Sequence, residues 1–130
     1  FGDHQPSAAT TLNDELYPQE DTASHAFRIY QSRYFVWANY EIAGNTELNV
    51  YDTVGANEVA AITLNKIGAP LTDYQKALLA TRSDVPTINV AGYLGADGLR
   101  YDLESEDSPY ASTIDKLQRM QYLEFASKVQ

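Results

Sequence analysis

Glycine and proline divide the second half of this chain into short segments, and this division constrains the fold more than any other feature. Gly68 and Pro70 end one helical pattern, Pro86 ends the next, and residues 95–98 (Gly-Ala-Asp-Gly) are typical of a tight turn. The apolar spacing between these breaks predicts helices over residues 52–67, 72–83 and 112–129. Residues 87–94 are predicted to form a strand that continues through the turn into residues 99–103 as a hairpin.

The first half of the chain carries weaker signals. Residues 5–26 are polar and rich in turn formers, which predicts a long loop with one short helical turn near residues 12–17. Residues 34–39 are aromatic and β-branched, which predicts a buried strand, and Gly44-Asn45 predicts a turn. We find no repeat and no linker, so the expected fold is a single α/β domain over residues 1–130, with short strands and about three helices.

Composition excludes several classes of function. The chain has 130 residues, of which 44% are hydrophobic, so it is long enough to bury a core. It carries 9 basic and 18 acidic residues, a net charge of −9 that opposes binding to nucleic acid or anionic lipid. Cysteine is absent, which excludes disulfides, zinc–thiolate sites, iron–sulfur clusters and thiol catalysis. No apolar run reaches the roughly 18 residues that a membrane span needs.

The start of the chain suggests a larger parent. The sequence begins at Phe1 rather than at a methionine, and residues 1–4 are typical of a strand end that enters a turn. We therefore expect this chain to be part of a longer protein.

Gly2-Asp3-His4 is the sharpest local feature. Carboxylate oxygen and imidazole nitrogen are both good ligands for manganese, zinc or iron, and the glycine allows the backbone to turn tightly. Neighbouring strand residues point to opposite faces, so one metal can hold both side chains only where a strand ends. The alternative is that Asp3 caps a turn and His4 lies on the surface.

The context of this motif resembles a known family. Residues 1–7 (FGDHQPS) resemble the last metal-binding motif of the lipoteichoic acid synthase and phosphoglycerol transferase family, sulfatase-like members of the alkaline phosphatase superfamily. Residues 34–40 resemble the strand that follows this motif, residues 67–74 its helix–turn–helix, and residues 117–122 its terminal helix. One departure is that Ser32-Arg33 replace the usual threonine-proline, which loosens the assignment of a particular lipid substrate.

The resemblance implies a metal-dependent transferase. The fold would be the C-terminal part of an alkaline-phosphatase-like sandwich. Asp3 and His4 would bind one divalent metal together. The expected metal is Mn²⁺, with Mg²⁺ or Zn²⁺ as alternatives. The parent would be anchored at the extracytoplasmic face of the membrane and would move a phospholipid headgroup to a cell-envelope polymer or glycan. The family's threonine nucleophile and its remaining acidic ligand lie upstream, so we expect this chain alone to be inactive.

Two alternatives remain open. A sulfatase or phosphodiesterase would use water as the acceptor in place of a polymer. A non-catalytic acidic interaction domain would make Asp3 and His4 incidental. If an upstream sheet is missing, an apolar surface around Val36 and Trp37 is expected to favour self-association.

Other candidate residues have ordinary explanations beside the functional ones. His25 can reach a phosphate or lie on the surface, and Arg28 and Arg33 can bind phosphate or form a solvated pair. Trp37 and the ten tyrosines can stack on sugars, although core packing is expected. The acidic residues of the segment 97–107 can bind calcium or form an acidic hairpin tip, and their spacing is not that of an EF-hand: Asp97, Asp102, Glu104, Glu106 and Asp107.

Overall fold

The structure, a computed structural model of the 130-residue chain, describes residues 5–41, 53–126 and 128. This part of the chain is mixed α and β, as the sequence predicts, with one three-stranded antiparallel sheet and five α-helices in place of the expected three or so. It divides into two compact units, Phe1–Trp37 and Ala38–Gln130. No helix in the described ranges is long and apolar enough to cross a membrane.

The first unit contains two helices, α1 (Ser7–Leu16) and α2 (Thr22–Ile29). Asp21 caps α2, because its side chain accepts hydrogen bonds from the backbone N–H groups of Ala23 and Ser24, both at 3.0 Å. α2 buries Phe27, whereas α1 buries no residue.

These helices correct the loop predicted for residues 5–26. The polar composition of α1 suggested a loop, but its sequence, SAATTLNDEL, includes alanine, leucine and glutamate, which have high helix propensity. Its leucines, Leu12 and Leu16, are 59% and 64% exposed, so α1 offers no buried apolar stripe for periodicity to detect.

The buried strand predicted for residues 34–39 is also wrong. Residues 31–38 form neither helix nor strand, and Phe35 and Trp37 are 82% and 77% exposed. An aromatic, β-branched segment becomes a strand only where a second strand pairs with its backbone, and no described segment does so here. The turn predicted at Gly44-Asn45 lies outside the described residues.

The second unit begins with helical structure. A 3₁₀ turn over Ala56–Glu58 leads into α3 (Val59–Lys66), and α4 spans Asp73–Thr81. Residues 53–55 are not helical, so the helix starts later than the predicted residue 52.

The predicted helix boundaries between α3 and α4 are confirmed. Gly68, at φ 72°, follows α3. Thr72 begins α4 with a capping box: Gln75 N donates to Thr72 Oγ1 at 3.2 Å, and Thr72 N donates to Gln75 Oε1 at 3.0 Å.

The sheet follows in the order β1 (Thr87–Asn89), β2 (Gly92–Leu94) and β3 (Arg100–Tyr101). The single strand predicted over residues 87–94 is therefore two strands, with the break at residues 90–91. Asn89 explains the break, because its side-chain oxygen accepts a hydrogen bond from Ala91 N at 2.8 Å and closes the turn. The hairpin predicted across residues 95–98 is confirmed, with Tyr93 opposite Tyr101.

The last helix, α5 (Ala111–Ala126), confirms the predicted helix over residues 112–129 but ends earlier, since residue 128 lies in a turn. It packs against α4, which in turn packs against α3. The core of this unit is formed by buried apolar side chains from the helices, the sheet and the segment that precedes it: Ala61, Leu78, Val85, Tyr93, Ile114 and Leu117.

Candidate functional site

The predicted metal ligands Asp3 and His4 lie outside the described residues. The next residue, Gln5, is described, and its amide Nε2 donates to the carbonyl oxygens of Arg28 at 2.9 Å and Gln31 at 2.7 Å. Arg28 lies in the last turn of α2, and Gln31 lies two residues beyond the end of that helix. The residue that follows the Asp-His pair is thus attached to a helix end.

The same helix carries a cluster of charges around Arg28. Arg28 Nη2 lies 2.7 Å from both Asp14 Oδ1 and Glu20 Oε2, and Arg28 Nε donates to Glu20 at 2.8 Å. Tyr17 lies against the guanidinium, whose carbon is 5.2 Å from the ring centroid. The Arg28 side chain is only 12% exposed. We call Asp14, Tyr17, Glu20 and Arg28, together with His25, the arginine cluster.

His25 joins this cluster through Asp14. It precedes Arg28 by three residues, so both side chains lie on one face of α2. His25 Nε2 is 3.1 Å from Asp14 Oδ1, the oxygen that Arg28 also contacts. The structure therefore brings together two of the residues that the sequence offered as phosphate contacts.

The electrostatics of the cluster oppose that role. The hydrogen bonds that Arg28 donates to Glu20 and then to Asp14 raise the pKa of Arg28 above its ordinary value, and the bond from Arg28 lowers the pKa of Asp14. Two carboxylates contact one guanidinium, so the cluster has a net negative charge, which disfavours the binding of phosphate. We conclude that the arginine cluster fastens α1 and the following loop to α2.

The expectation of a solvated arginine pair is therefore wrong for Arg28, which is largely buried in ion pairs. Arg33 is exposed and forms no ion pair within the described parts of the chain.

Asp14 gives the first unit a pH dependence at the acid end. Because the pKa of Asp14 is lower in the folded chain than its ordinary value of 3.8, its contribution to stability is present above pH 3.8. That contribution is lost as the pH falls from there through the folded-state pKa. We expect the α2 amide signals in an NMR titration to report loss of structure in this range, and Asp14→Asn to remove that part of the loss. Asp73→Asn, at a fully exposed side chain, is the control and should leave the titration unchanged.

A cluster of tyrosines lies in the second unit. The rings of Tyr93 and Tyr101 stack at 5.5 Å between centroids, and Tyr110 meets Tyr101 edge-on at 5.9 Å. Asp97 accepts hydrogen bonds from Tyr101 Oη at 2.7 Å and from Leu99 N at 3.0 Å. The hydrogen bond that the Tyr101 hydroxyl donates to Asp97, together with burial, raises the pKa of Tyr101 to about 12, and the same bond lowers the pKa of Asp97.

These contacts bear on the interpretation of Asp97 and of the aromatic residues. Both carboxylate oxygens of Asp97 accept hydrogen bonds within the β2–β3 hairpin, as in an acidic hairpin tip. Across the described ranges no three histidine, cysteine or acidic side chains are grouped so that they could hold a metal. The expected core packing holds for Tyr93 and is wrong for Trp37.

Sequence reasoning missed two features of the second unit. The tyrosine cluster had a usable signal, because a hairpin across residues 95–98 brings Tyr93 near Tyr101. The other feature is a buried ion pair between Glu58, 2% exposed, and Arg82. These residues are 24 positions apart, and no local pattern pairs them.

Comparison with known proteins adds no identification: no family model, curated protein or solved structure matches this sequence.

Proposed function

We propose that this chain is the C-terminal portion of a divalent-metal-dependent transferase that moves a phosphoglycerol-type lipid headgroup to a cell-envelope polymer or glycan. The observation that carries the proposal is the motif Gly2-Asp3-His4 at the head of a sequence that resembles the lipoteichoic acid synthase family. Three further segments resemble that family in the same order, residues 34–40, 67–74 and 117–122.

The donor set suits the proposed metal. A carboxylate and an imidazole are hard and borderline ligands that Mn²⁺ and Zn²⁺ both accept, and Mg²⁺ accepts the carboxylate. They supply two ligands, fewer than a stable site needs, so the remaining acidic ligand and the nucleophile would come from upstream sequence. When bound, the metal would lower the pKa of the attacking hydroxyl and neutralise charge on the phosphate.

In this proposal each residue of the motif has a separate role. Asp3 is the anionic ligand and His4 the neutral one, whose second ring nitrogen needs a hydrogen-bond partner to fix its tautomer. The two hydrogen bonds of Gln5 to the end of α2 support the proposal, because they restrict the backbone next to the ligands. Such restriction lowers the entropy that is lost when the ligands are ordered around a metal.

Titration with Mn²⁺, followed by NMR, tests the metal site. Mn²⁺ is paramagnetic, so even weak binding broadens nearby amide signals. We expect broadening at residues 2–7 at sub-stoichiometric metal, and at least a tenfold loss of that effect in Asp3→Ala and in His4→Ala. His25→Ala is the matched control, because it removes the other of the two histidines, and it should change nothing at residues 2–7.

Other outcomes would contradict the proposal. Broadening confined to the acidic segment 97–107 and unchanged in His4→Ala would mean that the motif binds no metal. Metal-dependent phosphodiester hydrolysis by this chain that depends on Asp3 would show that the nucleophile is present, contrary to its expected position upstream.

One observation favours a second candidate, a non-catalytic interaction domain. Phe35 and Trp37 are largely exposed on an acidic chain, as the binding surface of such a domain would be. In that case Asp3 and His4 are incidental, and the Mn²⁺ titration distinguishes the two candidates.

A further inference from the structure

Residues 33–41 form an apolar segment with opposite charges at its two ends. Arg33 and Glu41 are the only charged residues in the segment, and the seven residues between them are YFVWANY. Three of its aromatic side chains are largely exposed: Phe35 by 82%, Trp37 by 77% and Tyr40 by 62%.

The backbone of this segment is available for pairing. No backbone N–H or C=O of residues 35–40 makes a hydrogen bond anywhere in the described chain. Backbone groups without a partner among the described residues, next to side chains of high β propensity, are a template for an added strand. The remaining question is which strand fits.

The sequence is complementary to itself in one register. If two copies pair antiparallel about Trp37, Arg33 of one copy lies opposite Glu41 of the other, and the reverse pair also forms. The same register places Tyr34 opposite Tyr40 on one face and Trp37 opposite itself on the other face. Opposite charges and aromatic pairs directly across two strands both stabilise an antiparallel ladder. A parallel pairing would instead place Arg33 opposite Arg33.

We infer that a second copy of this chain is the partner of residues 33–41, joined through an antiparallel two-stranded ladder with Trp37 on its two-fold axis. The ladder brings the exposed rings of Phe35 and Trp37 of both copies together on one face and pairs the backbone groups of alternate residues in the segment. Two strands alone make a marginal structure, so the dimer is weak and concentration-dependent. This inference concerns the chain as it is and does not depend on the proposed transferase.

Charge reversal tests the register by sedimentation velocity over a range of concentrations. Arg33→Glu replaces two attractive pairs with two repulsive ones because of the two-fold symmetry, and Glu41→Arg does the same. We expect each variant to raise the Kd of dimerisation by on the order of tenfold or more. The double variant Arg33→Glu/Glu41→Arg should return to the wild-type Kd.

A mixture of the two single variants gives the sharpest result. Arg33→Glu and Glu41→Arg should each remain monomeric at a concentration where their 1:1 mixture dimerises, because both end pairs are then attractive. Trp37 is the only tryptophan, so its fluorescence should shift to shorter wavelength with concentration in the wild type and in that mixture, but not in either variant alone.

Three outcomes would overturn the inference. The wild-type chain could stay monomeric at millimolar concentration, the single reversals could dimerise as well as the wild type, or the mixture could fail to dimerise. Far-UV circular dichroism of each variant checks that its fold is unchanged, and the exposed reversal Asp73→Lys serves as the charge-change control.

Discussion

Tyr93→Ala is expected to destabilise the second unit by about 3–5 kcal/mol. Tyr93 is fully buried, packs with Val85 and Ile114, and stacks on Tyr101. Removing the ring leaves a cavity and also removes the aromatic stacking. Urea unfolding followed by far-UV circular dichroism measures the loss as a lower midpoint at an unchanged slope.

Tyr93→Phe is the matched control, and it separates the ring from its hydroxyl. The Tyr93 hydroxyl is buried and has no hydrogen-bond partner among the described residues. A buried hydroxyl without a partner costs about 1–3 kcal/mol. Tyr93→Phe should therefore be at least as stable as the wild type. A loss of more than about 1 kcal/mol in Tyr93→Phe would mean that the hydroxyl is bonded in solution.

The second large effect is expected from Glu58→Ala, at about 3 kcal/mol. Glu58 accepts hydrogen bonds from Gly55 N at 3.1 Å and from Arg82, which also donates to the carbonyl of Pro86 at 3.2 Å. Without Glu58, the largely buried Arg82 guanidinium loses the carboxylate that it contacts. The Arg82 side chain is 17% exposed and keeps its hydrogen bond to the Pro86 carbonyl. The loss of stability should therefore fall at the low end of the range for a broken buried ion pair.

Two further variants identify the cause of that loss. Glu58→Gln keeps an oxygen for Gly55 N and should lose less than Glu58→Ala. Glu58→Met/Arg82→Met removes both charges and should recover most of the stability of Glu58→Ala, since an apolar pair of similar volume replaces the ion pair. If the double variant is instead the least stable of the three, the ion pair itself carries the energy.

Local signals predicted the second unit well. Thr72 and Gln75 form a capping box within four residues, Gly68 has the positive φ that ends a helix, and the turn at residues 95–98 defines the hairpin. Each of these signals acts over a few residues and does not depend on distant parts of the chain. The split of residues 87–94 into two strands depended on the Asn89 side chain, which also could have been read as a turn signal.

The predictions made from the sequence failed where contacts between distant residues determine the structure. Two polar helices form in place of the predicted loop, and the ion pairs of Arg28 with Asp14 and Glu20, 14 and 8 positions away, fasten them. The segment 34–39 has the composition of a strand but no described partner, and composition cannot supply one. For the candidate site, a local motif was enough to predict Asp3 and His4 as metal ligands. The arginine cluster could not be predicted in this way, because its residues come together only when α1 and α2 have folded.

Gly92 and Gly95 have opposite consequences for how sequences with this hairpin can diverge. Gly92 has φ 129°, and a Cβ there would lie 2.3 Å from the carbonyl oxygen of Tyr101, a backbone atom that cannot turn aside. Any descendant that keeps the sheet must keep this glycine. A Cβ at Gly95 would instead meet two side chains, the ring of Tyr110 at 2.3 Å and the carboxylate of Asp97 at 2.7 Å, so a larger residue at 95 requires changes at both 97 and 110. A strict glycine at 92 and covariation of 95 with 97 and 110 would therefore mark distant relatives of this chain.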